Sequence, residues 1–177
     1  MTTPALHVYK SKLESNVQAL SNALPGVNLC YAVKAFTDPD VLRILNKAGV
    51  CFDVATNVEI DICKSVGITP DKCIHTHPIK KSEDIDYAIK NYISTFVVDN
   101  YFEIDKFVGK DAQILLRVSF PNPALRIDLS KKFGCQPKDV DSLIEYAIKK
   151  EVNIVGISFH VGSNSTDSYK HVHAIDV

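Results

Sequence analysis

Several polar side chains in this sequence follow directly on short apolar runs. They are Lys34, Asp53, His75, His77, Asp99, Arg117, His160 and Ser163. Where parallel strands alternate with helices, functional groups collect at the carboxyl ends of the strands. A partly desolvated lysine at such a point has the lowered pKa that permits Schiff-base chemistry. Lys34 is therefore the candidate nucleophile, although its position equally suits a surface lysine that reaches water.

The sequence after the apolar run Ile154 to Phe159 suits anion binding. His160 is followed by a glycine and then by Ser163, which predicts a tight turn carrying a hydroxyl group. Arg117 ends another apolar run, so its burial requires an acidic partner or an anionic ligand. The alternatives are a hydrogen-bonded core histidine at 160 and an ion pair of Arg117 with Asp53 or Asp99.

The segment Cys73 to His77 has the alternation of a strand that places two imidazoles and one thiol on a single face. A structural zinc site needs four such ligands, and no fourth has suitable spacing nearby. We therefore predict no metal here. The five cysteines are odd in number and widely spaced, and we expect most of them to be reduced core residues.

The elements that must position these side chains alternate in type. Six apolar runs predict strands, and they are residues 28–33, 50–55, 72–75, 95–99, 113–119 and 153–160. Each run is apolar enough to be buried on both faces. Helical patterns lie between them, the clearest of which is the stripe Val140, Leu143, Ile144, Ala147 and Ile148. The order predicts parallel strands joined by helices, in either a doubly wound sheet or part of an eight-stranded barrel.

Local signals predict where the helices begin. The first helix should start near Ser11, and Asp38, Asn57, Ser82 and Asn100 stand where other N-caps are expected. Residues 120–136 carry two prolines and exceed the usual length of a strand-to-helix connection. We expect a functional loop there.

Composition limits the classes of function. The chain has 177 residues, 46% of them hydrophobic, which suits a single domain with a substantial core. Twenty basic and twenty-one acidic residues give a formal net charge of -1, and this argues against a nucleic-acid partner. With no leader-like start and no long apolar run, the sequence predicts a soluble, cytoplasmic protein without a membrane span.

Five segments, taken in order and with their spacing, resemble the ornithine/diaminopimelate/arginine decarboxylase family, the fold-type III pyridoxal-phosphate enzymes. They are Tyr31-Ala32-Val33-Lys34-Ala35, Phe52-Asp53-Val54-Ala55, Leu116-Arg117-Val118, Lys132-Phe133-Gly134 and Ser158-Phe159-His160-Val161-Gly162-Ser163. The resemblance spans about Pro4 to Asp176 and comes nearest to ornithine decarboxylases. It implies an incomplete (β/α)8 TIM-type barrel of the alanine-racemase-like class, with about six of the eight parallel strands, filling residues 1–177.

The resemblance also assigns roles. Lys34 would carry pyridoxal 5'-phosphate, His160 would stack on the cofactor ring, and Ser163 would bind the phosphate. Asp53 is expected near the lysine as a catalytic carboxylate. Glu59 and Arg117 match residues beside the cofactor. In relatives, the lysine that matches Lys132 pairs across a dimer interface, so a homodimer is expected of the full-length enzyme.

The implied reaction is decarboxylation of a basic amino acid, ornithine to putrescine first, as a step of polyamine biosynthesis. The family's glycine-rich phosphate loop, the acidic partner of the pyridine nitrogen and the carboxyl-terminal beta domain have no counterpart in this sequence. We therefore expect a truncated or split enzyme, inactive by itself. A non-catalytic homologue of the antizyme-inhibitor kind, which binds a regulatory partner, is the alternative. An alanine-racemase-like enzyme fits the residues after strand six less well.

Overall fold

The computed structural model describes residues 4–121, 130, 132–163, 165–167 and 169–176, in which strands and helices alternate. The strands are β1 (Cys30–Ala32), β2 (Cys51–Val54), β3 (Cys73–His75), β4 (Thr95–Val98), β5 (Gln113–Val118) and β6 (Asn153–Phe159). The helices are α1 (Lys10–Ala23), α2 (Pro39–Lys47), α3 (Asn57–Ser65), α4 (Ser82–Lys90), α5 (Tyr101–Asp105), α6 (Val140–Lys149) and α7 (Tyr169–Asp176). All six predicted strands are confirmed, each within two residues of its expected ends. No helix in these ranges has the length and apolar character needed to cross a membrane.

The chain divides into two compact units, Met1–Ile74 and His75–Val177. In the first unit β1 and β2 are parallel, with Cys30 opposite Cys51 and Ala32 opposite Asp53. Parallel neighbours require a crossover, and α2 provides it. Asp38 caps α2 by accepting hydrogen bonds from two backbone N–H groups of its first turn, as predicted.

The second unit contains the parallel strands β4, β5 and β6. Its core includes Phe96 and Phe107, whose ring centroids lie 5.1 Å apart and whose exposed fractions are 0% and 1%. The stripe on α6 buries Leu143 and Ala147, whereas Ile148, at the end of the stripe, is exposed. Burial of one large aliphatic or aromatic side chain contributes about 1.5–3 kcal/mol, so such residues supply most of the stability of this unit.

The prediction that the strands are buried on both faces is confirmed for β4, in which Phe96, Val97 and Val98 are all buried, and is wrong for the other strands. In β5, Ile114, Leu116 and Val118 are buried, whereas Leu115 and Arg117 on the other face are half-buried. In β2, Phe52 and Val54 are buried but Asp53 is not. A strand face that carries a charged side chain keeps access to water, because burying an unpaired charge is costly.

Three predicted caps are also wrong. α3 is capped by Thr56 rather than Asn57, since the Thr56 hydroxyl oxygen accepts a hydrogen bond from the backbone N–H of Glu59 at 3.2 Å. Tyr9 and Lys81 occupy the N-cap positions of α1 and α4, and neither side chain makes a capping hydrogen bond. Ser11 and Ser82 lie within the first turns of these helices. Asn100 caps α5 as predicted.

The predicted loop 120–136 lies partly outside the described residues, and its described end returns to β5. Cys135 donates its backbone N–H to the carbonyl of Arg117 at 2.9 Å and accepts from the N–H of Ser119 at 2.8 Å. This parallel bridge requires close approach of the two backbones at Gly134, which has a φ of +92°. A Cβ atom on Gly134 would lie 2.8 Å from the backbone nitrogen of Ser119, so a glycine is needed here.

Candidate functional site

Lys34 lies in a short 3-10 turn, Val33–Ala35, that directly follows β1. Val33 is fully buried and holds this turn on the first unit, while Lys34 is exposed. None of the described residues forms a hydrogen bond or an ion pair with the side-chain amine of Lys34. A primary amine is therefore presented at the carboxyl end of a strand, free to react with a carbonyl group.

Asp53 occupies the same edge of the first unit. It is the register partner of Ala32, which lies two residues before Lys34. The side chain of Asp53 is half-buried on the less buried face of β2. The register thus places Asp53 on the strand next to the one that leads to Lys34, and the predicted catalytic role of Asp53 beside the lysine stays a prediction.

Glu59 forms a capping box with Thr56 at the start of α3. Its carboxylate accepts hydrogen bonds from the backbone N–H of Ala55 at 2.9 Å and from the hydroxyl of Thr56 at 3.2 Å. The Thr56 hydroxyl oxygen in turn accepts a hydrogen bond from the backbone N–H of Glu59, so the N–H groups of Ala55 and Glu59 both have side-chain acceptors. Glu59 thus fixes the turn after β2, and its predicted contact with a cofactor stays a prediction.

In the second unit, side chains gather around the ring of Phe133. The guanidinium carbon of Arg117 lies 5.2 Å from the ring centroid, and Nζ of Lys132 lies 5.0 Å from it. The ring of His77 meets the same ring edge-on at 5.7 Å. We call Phe133, Arg117, Lys132 and His77 the Phe133 cluster. Cation–aromatic contacts of this kind are worth about 0.5–1 kcal/mol each where exposed, so the ring orients Arg117 at the end of β5.

Asp99, which follows β4, anchors the segment that carries this cluster. Its carboxylate accepts a hydrogen bond from the backbone N–H of Gly134 at 2.9 Å and another from the Asn100 amide at 2.7 Å. Asp99 is 8% exposed. Hydrogen bonds to a charged acceptor are among the stronger ones in proteins, so Asp99 ties the returning loop to the carboxyl end of β4.

His160 and Ser163 follow β6, as predicted, and both are exposed. Nδ1 of His160 accepts a hydrogen bond from the backbone N–H of Gly162 at 2.8 Å, which fixes the ring and leaves Nε2 as the protonated nitrogen of the neutral form. An open groove of about 320 Å³ lies here, lined by Phe159, His160, Val161, Gly162, Ser165 and His171. The sequence analysis missed Ser165 and His171, because no local sequence pattern indicates that the residues after Ser163 line this groove.

Cys73, His75 and His77 do not act together in this structure. Cys73 hydrogen-bonds the thiol of Cys63, and the ring of His75 is buried against Phe96. Burial, and then the nearby Lys80, lower the pKa of His75 to about 4. Among the described residues, no cluster of three or more His, Cys, Asp or Glu side chains could hold a metal ion.

A buried lysine, Lys80, is a further feature that the sequence analysis missed. Its Nζ donates to the carbonyls of His77 at 3.0 Å, Pro78 at 3.2 Å and Val97 at 2.5 Å. Glu103 lies 3.7 Å away and also pairs with Lys106. Burial lowers the pKa of Lys80 to about 8, against the opposing effect of Glu103. The ammonium thus fastens the turn after β3 to the end of β4.

The predicted site residues are shared between the two units. Lys34, Asp53 and Glu59 belong to the first, and Arg117, His160 and Ser163 to the second. Each group lies at or just beyond the carboxyl ends of its own strands, apart from Glu59, which is in α3. Their convergence on one cofactor stays a prediction.

Residues 10–177 match the family described as pyridoxal-dependent decarboxylase, pyridoxal binding domain. Antizyme inhibitor 2 of Xenopus laevis is 37% identical over 155 residues, which are 86% of this chain and 34% of that protein. Ornithine decarboxylase of Saccharomyces cerevisiae is 36% identical over 146 residues, 81% of this chain and 31% of that protein. This chain thus spans about a third of the length of these relatives.

A solved structure, the lysine/ornithine decarboxylase of Vibrio vulnificus complexed with putrescine, superposes with a TM-score of 0.86 at 40% identity. The match covers 94% of this chain and 44% of that one. It confirms the α/β class and the incomplete TIM-type barrel, and it excludes the doubly wound sheet that the strand order left open. The family match establishes pyridoxal phosphate as the cofactor of this domain type.

The side chains at the strand ends suit that cofactor chemically. Pyridoxal phosphate presents an aldehyde, an aromatic ring and a phosphate. The described residues offer an unengaged amine at Lys34, an imidazole at His160 that is held by the backbone N–H of Gly162, and an exposed hydroxyl at Ser163. These groups match the three parts of the cofactor in kind.

Proposed function

Because this chain belongs to the pyridoxal-dependent decarboxylases, we propose that it is the cofactor-binding part of an enzyme that decarboxylates a basic amino acid, with ornithine as the first candidate. Its product would then be putrescine, and its place polyamine biosynthesis. The observation that carries the proposal is the unengaged amine of Lys34 at the end of β1, beside the strand end that carries Asp53.

Each side chain has a distinct task in this proposal. Lys34 would hold the cofactor through its amine, which suits the aldehyde, and would give way to the amine of the substrate. Asp53 keeps the environment of that amine polar. His160, oriented by the N–H of Gly162, lies against the cofactor ring and limits its tilt.

The remaining residues hold the cofactor in place. Ser163 donates its hydroxyl hydrogen to the phosphate, and Arg117, oriented by Phe133, supplies a positive charge beside the cofactor. Glu59 keeps the turn after β2 in shape. Once bound, pyridoxal phosphate withdraws electrons from the α-carbon as carbon dioxide leaves.

The assembly and location of the complete enzyme are parts of the same proposal. Relatives of this family suggest a homodimer, with Lys132 at the contact between subunits. We place the enzyme in the cytoplasm, acting on a small amino acid, without a nucleic-acid or membrane partner. The ornithine decarboxylase of yeast and the lysine/ornithine decarboxylase of Vibrio vulnificus support ornithine and lysine as the substrates to test first.

Reductive trapping tests the role of Lys34. The 177-residue protein is incubated with pyridoxal phosphate, reduced with borohydride and mapped by mass spectrometry. We expect the adduct on the peptide that contains Lys34, its loss in Lys34→Ala and its retention in Lys47→Ala, which removes another exposed lysine. Equal labelling of many surface lysines would contradict the proposal.

Decarboxylation is measured separately, as carbon dioxide released from ornithine, lysine or arginine. We expect the 177-residue protein by itself to stay at the level of Lys34→Ala, because it spans only about a third of the length of the ornithine decarboxylases that it matches, whose other residues would supply further catalytic groups. Full turnover by this chain would show that those groups are dispensable.

A non-catalytic role is favoured by one observation, the 37% identity to antizyme inhibitor 2. In that case the chain would bind a regulatory protein of the antizyme kind, and Lys34 would have no special reactivity. Binding to antizyme together with unselective labelling of lysines would support this second function over the first.

A further inference from the structure

Two cysteines in the first unit stand directly opposite each other. Cys30 begins β1 and Cys51 begins β2, and they are register partners in this parallel pair. Neighbouring strands lie about 4.8 Å apart, which falls within the Cα–Cα range of about 4.4–6.8 Å seen in disulfides. Register partners also point to the same side of the sheet, so the two thiols face each other.

The pKa of Cys30 also reflects its closeness to Cys51. Burial raises the pKa of Cys30 to about 11, and a hydrogen bond between its thiol and that of Cys51 acts in the same direction. Cys30 is nevertheless exposed, and Cys51 is half-buried. A reagent in solution can therefore reach the first sulfur, and the second sulfur lies within reach of the first.

The other three cysteines are protected. Cys63 and Cys73 also contact each other, but their exposed fractions are 2% and 5%. Cys135 is buried at 8% exposure. Since thiol exchange requires access to the sulfur atom, exposure selects Cys30 and its neighbour.

We propose that Cys30 and Cys51 form a reversible thiol–disulfide site that is oxidised by a small-molecule disulfide of the glutathione class. The thiolate of Cys30, after its proton passes to water, attacks one sulfur of the reagent and releases one thiolate. Cys51 then loses its proton, attacks the sulfur of Cys30 and expels the second thiolate. The protein gives up two electrons and two protons, and the reagent becomes two thiols.

A disulfide between Cys30 and Cys51 would link β1 to β2 at their first residues. The link lies two residues before the Ala32–Asp53 pair on the same face. It would therefore tie β1, which leads into the turn of Lys34, to β2, which contains Asp53. The Cβ atoms of register partners are separated by about the strand spacing, slightly more than the roughly 3.5–4.5 Å of a relaxed disulfide, so the bond should be easy to reduce.

Peptide mapping tests this site in the 177-residue protein. After incubation with oxidised glutathione, free thiols are alkylated and the digest is analysed by mass spectrometry. We expect a peptide that links Cys30 to Cys51, the loss of two alkylatable thiols, and full recovery of both after dithiothreitol. The variant Cys51→Ser should instead carry glutathione on Cys30, and Cys63→Ser should form the link as the wild type does.

Other outcomes would overturn the proposal. These are a Cys63–Cys73 link, a link between two chains that disappears on dilution, stable glutathione adducts on the wild type, or no reaction in the folded protein while the urea-unfolded protein reacts. The wild-type map decides the question even if a variant fails to fold. None of these readouts depends on pyridoxal phosphate, so the result stands apart from the proposed decarboxylase function.

Discussion

Replacing Gly134 by alanine should detach the end of the loop that returns to β5. The added Cβ would lie 2.8 Å from the backbone nitrogen of Ser119 and 3.0 Å from the carbonyl carbon of Val118. Neither backbone atom can move aside as the end of a side chain could. The φ of +92° adds strain for any residue with a Cβ atom.

The expected loss follows from the bonds at this point. Two backbone hydrogen bonds of Cys135 are worth about 0.5–1.5 kcal/mol each, and a bond to a charged carboxylate, as from Gly134 to Asp99, about 1.5–3 kcal/mol. Detachment of the segment therefore costs about 2.5–6 kcal/mol. Strain from the positive φ contributes about 1–2 kcal/mol if the segment stays in place. Detachment would also remove Phe133 from Arg117.

Gly109→Ala is the matched control, because Gly109 has a φ of +73° but no atom within 4 Å of the added Cβ. It should cost about 1–2 kcal/mol from backbone strain. Urea unfolding gives the free energy of unfolding for both variants, and limited proteolysis reports cleavage between residues 120 and 136. We expect Gly134→Ala to lose at least about 2 kcal/mol and to be cut faster in this loop. If the two variants lost equal stability and the loop resisted cleavage, the close approach at Gly134 would be disproved.

Three further predictions concern stability. Burial lowers the pKa of His75 from 6.5 to about 4. As the pH falls through this range, the unfolded chain takes up a proton that the folded chain does not, so stability is lost. Urea titrations at pH 7 and 4.5 should show a loss of about 2–2.5 kcal/mol that His75→Asn largely abolishes. Thr56→Ala should lower the free energy of unfolding by about 1 kcal/mol, and Asn57→Ala should lower it by clearly less. Equal losses would contradict the assignment of Thr56 as the N-cap. Lys80→Met should cost about 3–5 kcal/mol in the same assay because it leaves buried carbonyls unpaired, whereas exposed Lys81→Ala should change stability by less than about 0.5 kcal/mol.

The strands and the residues at their ends could be predicted from the sequence because both depend on local pattern. An apolar run followed by a polar residue marks a strand and its carboxyl end, and this placed Lys34 and His160 directly beyond β1 and β6. The helix caps were less predictable. Thr56 and Asn57 are adjacent and both suit an N-cap, and only the reciprocal bond with Glu59 selects the threonine.

The contacts that orient these residues could not be predicted, because they join positions far apart in the sequence. Arg117 is oriented by Phe133, and Phe133 is itself held beside β5 by a bond from Gly134 to Asp99. No local sequence pattern predicts that the carboxylate of Asp99 accepts a hydrogen bond from the backbone N–H of Gly134. The contacts of Lys80 could not be predicted for the same reason, because α4 separates Lys80 in the sequence from Val97, whose carbonyl accepts its hydrogen bond.

These contacts have a common consequence for the strand ends. In the second unit, the turn after β3 is held by Lys80 and the returning loop by Asp99, and both bonds end on β4 or the residue after it. Arg117 then depends on both, because its ring partner Phe133 also packs against His77, which precedes Lys80 by three residues. A change at Lys80 or Gly134 should therefore alter the position of Arg117 without touching it. In the first unit Lys34 depends on a shorter chain of contacts, through buried Val33 and the register of β1 with β2. A substitution that loosens the second unit should thus displace the guanidinium of Arg117 while leaving the local setting of Lys34 intact.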